Sequence, residues 1–151
     1  SCAVHHTRED GTYVLDALLN DGKKLTAIAS DDAHFLTPGH EDADAFGGWI
    51  MVKAEANEPE ALLAALKSGA FYASSGPEIH DIELAGDQVH VSCSAAITII
   101  ALGRGSNSVN SYGPGQTQAS LDISKFAGDW IRIVVVDRAG MQAWSNPIWL
   151  D

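Results

Sequence analysis

The chain has 151 residues and a mass of 16.0 kDa, room for one compact domain or two small ones. Hydrophobic residues make up 46%, enough for a packed core, and the formal net charge is −11. That charge disfavours nucleic-acid backbones and anionic membrane surfaces as partners, because both repel an acidic protein.

The acid is unevenly spread: residues 1–86 carry a balance of −10 and residues 87–151 a balance of −1, as two segments with different tasks would. Two cysteines, Cys2 and Cys93, are too few for a disulfide framework and fit reduced thiols in a cytoplasmic protein. No apolar run reaches the length of a membrane span.

The first periodic segment is Tyr13 to Leu19, whose apolar spacing predicts a helix with Thr12 as N-cap and Gly22 as stop. Lys24 to Ser30 is short, apolar and β-branched at its centre, which predicts a buried strand of a parallel sheet. Residues 31–48 are polar and contain Pro38, so a long functional loop is expected there. Trp49 to Ala54 reads as a strand. Asn57, Pro59 and Glu60 open a helix that runs through Leu62, Leu63 and Leu66 to Gly69. This succession is that of an α/β unit.

Beyond Ser74 the pattern changes to short alternating strands: Ile79–Leu84, Gln88–Ser94, Ile97–Leu102, Thr117–Ile123, Trp130–Val136 and Met141–Leu150. Turn residues at 85–87, 113–115, 127–129 and 138–140 separate most of them, which predicts a small antiparallel β-sandwich. The boundary is expected near Ser75-Gly76-Pro77, giving an α/β part over 1–75 and an all-β part over 76–151.

Chemistry concentrates at Ser30-Asp31-Asp32-Ala33-His34, directly after the apolar segment. In an extended chain Asp32 and His34 point to the same side, so a carboxylate and an imidazole converge on one point. That donor pair suits Zn²⁺, Mn²⁺ or Fe²⁺, and ligands in α/β folds bind beyond the carboxyl ends of strands.

Several motifs in order carry a family likeness: Leu15-Asp16-Ala17-Leu18-Leu19-Asn20-Asp21-Gly22-Lys23, Ser30-Asp31-Asp32-Ala33-His34, Gly47-Gly48-Trp49-Ile50-Met51-Val52, Phe71-Tyr72-Ala73-Ser74-Ser75-Gly76-Pro77, and the ending Ala143-Trp144-Ser145-Asn146-Pro147-Ile148-Trp149-Leu150. Together they resemble the carboxy-terminal part of the PHP (polymerase and histidinol phosphatase) superfamily, in its carbaryl-hydrolase-like branch. The resemblance implies a distorted (β/α)₇ barrel with two or three divalent metals and an appended immunoglobulin-like β-sandwich. It implies hydrolysis of a small-molecule phosphoester by metal-activated water, with Asp32 and His34 as the last metal ligands.

The family's His-x-His motif, its bridging acidic ligand and its middle histidines have no counterpart here. Two ligands cannot close a four-coordinate site, so the isolated chain is expected to be an inactive fragment of a longer enzyme. A barrel strand left without neighbours also predicts self-association.

The remaining candidates favour plainer readings. His5 and His6 are adjacent and diverge. His40 sits among Glu41, Asp42 and Asp44, where a solvated acidic loop is favoured over a cation site or a substrate entrance. His80 and His90 fall on strands. Arg104 could contact an anionic substrate but lies in a turn without a phosphate-loop pattern. The tryptophans at 130, 144 and 149 fit a core better than a sugar platform. Nothing in the sequence places a serine beside a histidine, so no Ser/His/Asp triad is expected. The rival to the hydrolase reading is a non-catalytic β-sandwich binding module.

Overall fold

A computed structural model describes residues 11–31, 33–35 and 45–150. Strand predominates, at 45% against 17% helix, and every strand pairing is antiparallel. The strands are β1 (Trp49–Val52), β2 (Phe71–Ser74), β3 (Ile79–Ala85), β4 (Gln88–Gly103), β5 (Ser108–Asp122), β6 (Trp130–Val136), β7 (Gln142–Ser145) and β8 (Ile148–Trp149). The helices are α1 (Thr12–Asn20) and α2 (Pro59–Ser68).

These strands form one eight-stranded sheet in the order β1-β2-β7-β6-β4-β3, with β5 on β4 and β8 on β6. Strand β4 makes the sheet curl. Its first half pairs with β3 and its second half with β6, while β5 runs along its other edge. No turn residue interrupts Ser94-Ala95-Ala96, so the two strands expected over 88–102 fuse into one. Register shifts between Ser92 and Ala96, and again between Ala96 and Thr98, bend the fused strand instead. The Gly113-Pro114-Gly115 signal lies inside β5 rather than between strands, opposite the shifted part of β4. An irregularity there also blunts a free edge against pairing with other chains.

The curl lets one face close on itself. Val89, Val91, Cys93, Ile99 and Ala101 of β4 meet Ile131, Ile133 and Val135 of β6 in one buried cluster. Ile79, Ala96, Leu121, Ile123, Phe126 and Ala143 complete it. Gly103 is required at its margin, because a Cβ there would lie 2.5 Å from a ring carbon of Phe126 and 2.8 Å from the Trp130 carbonyl oxygen.

Strand β6 is buried on both faces, and its outer one is tied to α1. There the guanidinium of Arg132 binds the Asp16 carboxylate with two parallel hydrogen bonds, Nε–Oδ1 at 2.8 Å and Nη2–Oδ2 at 2.7 Å. Leu19, on the same helix as Asp16, is fully buried. At the helix end, Arg104 donates from Nη1 to the Asn20 carbonyl and from Nε to Asp129 Oδ2, the latter at 2.6 Å. A cation at a helix C-terminus satisfies an orphan carbonyl and complements the helix dipole.

The helices stand where the periodicity places them. Thr12 opens α1 rather than capping it, and Gly11 is the N-cap. For α2 the cap is Glu58 rather than Asn57, with Pro59 inside and Gly69 left-handed at the end.

The expected buried parallel strand over 24–30 does not form. No strand is assigned there, and Ile28 is 69% exposed. The physical reason is a want of neighbours: a parallel strand must be paired and covered on both faces, and among the described residues none pairs with this segment. No parallel barrel is therefore present among the described residues. The segment still keeps a strand's alternation, with Ala27, Ala29 and Asp31 half-buried and Ile28 and Ser30 exposed.

Asn146 ties this segment down. Its Oδ1 accepts the Ala27 N–H at 3.1 Å, while Nδ2 donates to the carbonyls of Gly69 and Phe71 at 3.1 and 2.9 Å. Hydrogen bonding is also continuous across 75–77. Strand β2 pairs with β7, Ser75 exchanges hydrogen bonds with Gln142, and Ser74 Oγ bridges the Gly76 N–H and the Pro77 carbonyl.

Candidate functional site

Of the expected ligand pair, Asp32 lies outside the described residues, and His34 is described and exposed. What the structure defines is the anchorage of the segment that carries them. Asp31 turns inward, where Oδ1 accepts the Gly48 N–H at 2.6 Å and Oδ2 accepts the Phe46 N–H at 2.7 Å. One carboxylate thus joins the two ends of the 31–48 loop.

The ends are also close-packed. A Cβ on Gly48 would stand 3.3 Å from the Ala29 Cβ and 3.4 Å from the Ser30 carbonyl oxygen. Phe46 and Phe35 both have left-handed backbones, φ 61° and 54°, uncommon for bulky residues.

The sequence assigned no role to Asp31. Its signal was present in the paired acids Asp31-Asp32, of which alternation allows only one to share a side with His34.

A divalent cation is chemically suited to a carboxylate and an imidazole. Among the described residues, however, no group of three or more His, Cys, Asp or Glu side chains is arranged to hold a metal ion. His34 alone does not make a site, so any further ligands come from outside the described residues, and no reaction step is derived through a metal here. His40 lies outside the described residues as well.

Arg104, considered for an anionic substrate, spends its donors on Asp129 and on the end of α1. Among the tryptophans, Trp130 is fully buried and Trp144 and Trp149 are half-buried.

A serine does stand beside a histidine, a pairing that nothing in the sequence could place. Glu83, His90 and Ser120 face one another across β3, β4 and β5, and His90 Nδ1 lies 2.7 Å from Ser120 Oγ. With Asp81, Ser92 and Gln118 they line a concavity of about 470 Å³ on the outer face of the sheet. Glu83, His90 and Ser120 are exposed, and the pair reads as a solvated cross-strand contact.

Elsewhere, burial pushes the Cys93 thiol above its ordinary pKa. Hydrogen bonds from the Ser124 hydroxyl and backbone hold the Asp122 carboxyl below its ordinary value. No helix among the described residues is long and apolar enough to cross a membrane. Comparison with family models, with curated proteins and with solved structures finds no match to this chain.

Proposed function

We propose that this chain is the carboxy-terminal region of a PHP-like metal-dependent phosphoesterase, in which Asp32 and His34 contribute to a divalent-metal site built largely from residues outside those described. In this reading residues 1–75 are the end of a barrel and the strands from β3 onward are its appended sandwich, with β1 and β2 joining the same sheet through β7. The substrate is a small phosphoester, and the metal (Zn²⁺, Mn²⁺ or Fe²⁺) activates the attacking water.

The observation that carries the reading is the alternation from Ala27 to His34. Ala27, Ala29 and Asp31 face the protein while Ile28, Ser30 and His34 face outward. The imidazole therefore leaves an anchored, strand-like segment on the side an extended chain gives it. The exposed Leu25 and Ile28 of the same segment fit a surface covered in a larger assembly, a second copy of the chain included.

The test is metal affinity at neutral pH. Zn²⁺ or Mn²⁺ binding that is lost in Asp32→Ala and in His34→Ala supports the reading, and equal affinity in all three proteins removes the pair from any site.

A second reading, a non-catalytic binding module, is favoured by the concavity on β3, β4 and β5. Under it, Glu83→Ala and His90→Ala abolish ligand binding while Asp32→Ala does not.

A further inference from the structure

Strand β1 stands at one end of the sheet, paired with β2 alone. The Lys53 N–H donates to the Ala70 carbonyl, one step beyond the β1–β2 register. Bonded and non-bonded pairs alternate in an antiparallel ladder, so Trp49 and Met51 also turn their amides and carbonyls toward β2. Ile50 and Val52 turn theirs to the open edge, where no strand among the described residues meets them. The Gly48 N–H, which faces the same way, is taken by Asp31 Oδ1. The free edge therefore runs from Ile50 to Val52, where β1 ends.

The other edge strands are guarded. Strand β3 carries Asp81 and Glu83, β5 carries the Gly113-Pro114-Gly115 irregularity, and β8 is only Ile148–Trp149. Charge, proline and shortness each discourage a stray strand from adding. Across Trp49-Ile50-Met51-Val52 there is no charge, no proline and no register shift.

We propose that the β1 edge pairs with the β1 edge of a second copy of this chain, antiparallel about a two-fold axis at Met51. In that register Ile50 of each copy faces Val52 of the other, and each such pair exchanges both of its N–H···O=C bonds. What selects a second copy is the fit of the edge to itself. Met51, 39% exposed, faces its own twin across the axis. Lys53, which is exposed, comes opposite Trp49 and next to the Asp31 carboxylate of the other copy, so opposite charges meet and no like charges are opposed. A two-fold contact of this kind closes at the dimer. It stands apart from the metallohydrolase reading, since no metal enters it.

The test places charges at the axis. Met51→Lys and Met51→Glu each set two like charges face to face, on a side chain that already meets solvent. Sedimentation velocity follows the wild type, each variant and their equimolar mixture over a concentration series into the millimolar range. Amide hydrogen exchange of the wild type is read at the two ends of that series.

The expected result is a monomer–dimer equilibrium in the wild type and association at least about tenfold weaker in either variant alone. The mixture should recover it, because opposite charges then face each other. Exchange at Ile50 and Val52 should slow as the dimer forms, while that at Met51, bonded to β2, stays the same.

A wild type that remains monomeric throughout overturns the proposal and leaves the edge to an extended segment of another protein. Association of both variants at the wild-type strength overturns it as well, since the contact then lies elsewhere. Should neither variant fold, the exchange rates decide alone, and rates at Ile50 and Val52 that do not change with concentration overturn it.

Discussion

Replacing Asp16 by Asn removes the one carboxylate that answers the buried guanidinium of Arg132. The Arg132 side chain is 5% exposed and the Asp16 side chain 32%, so the pair sits at the inner edge of the α1–β6 contact rather than in a sealed core. Breaking a fully buried pair from one side costs about 3–5 kcal/mol, since the remaining charge stays desolvated. Water reaching the Asp16 side lowers that, and about 2 kcal/mol is expected.

For a domain of this size such a loss lowers the melting temperature by about 4–8 °C. Arg132→Met leaves only a partly solvated carboxylate and costs less, about 1 kcal/mol. The double variant Asp16→Leu with Arg132→Met recovers most of the loss, because two apolar groups replace the pair.

Urea unfolding of the wild type, Asp16→Leu, Arg132→Met and their double variant closes the cycle, with Asp16→Asn measured beside them. A coupling energy near zero, or a cost below about 0.5 kcal/mol for Asp16→Asn, would refute the docking of α1 on the outer face of β6.

Two further outcomes follow from single residues. Asn146→Ala strands the Ala27 N–H and removes a donor from the carbonyls of Phe71 and Gly69, of which Gly69 keeps the Phe71 N–H; the loss should cost about 2 kcal/mol. In hydrogen exchange the Ala27 amide should lose protection before those of β6, and unchanged Ala27 protection would refute the tie. Cys93 is buried and its thiol pKa is raised, so less thiolate forms near pH 8 than in a free cysteine. Iodoacetamide should label it only as the protein unfolds, read by peptide mass mapping. Labelling at the rate of an exposed thiol would contradict its place in the core.

Much of the β-rich part was legible because its residues alternate cleanly. Val89, Val91 and Cys93, and again Ile131, Ile133 and Val135, have the period that a half-covered strand requires, and all are buried. The fusion of two expected strands into β4 was not legible. Bulges near Ser94 and Ala95 need no turn residue, so no punctuation marks them. The Gly-Pro-Gly signal misled for the complementary reason: the same residues serve a turn or an irregular strand edge.

Over 24–30 the composition of Leu25, Ala27, Ile28 and Ala29 predicts a buried strand and none forms, although the alternation is present. Pairing depends on neighbours, which local sequence does not encode. The candidate site was legible only in part, since His34 can be picked out by residue type while the clasp made by Asp31 depends on amides far along the chain. The contact between His90 and Ser120 is likewise a product of register between β4 and β5. Asn146 stood inside a motif singled out from sequence, and its three hydrogen bonds give that motif a physical role.

The central claim is that a divalent cation meets this chain at His34 rather than at any other of its six histidines. Paramagnetic broadening by Mn²⁺ tests it directly, since the ring protons of each histidine give separate NMR signals. At the lowest Mn²⁺ additions the His34 ring signals should broaden first, and Asp32→Ala should abolish the effect. Broadening that begins at His80 or His90, or that spreads evenly over all six rings, would contradict it.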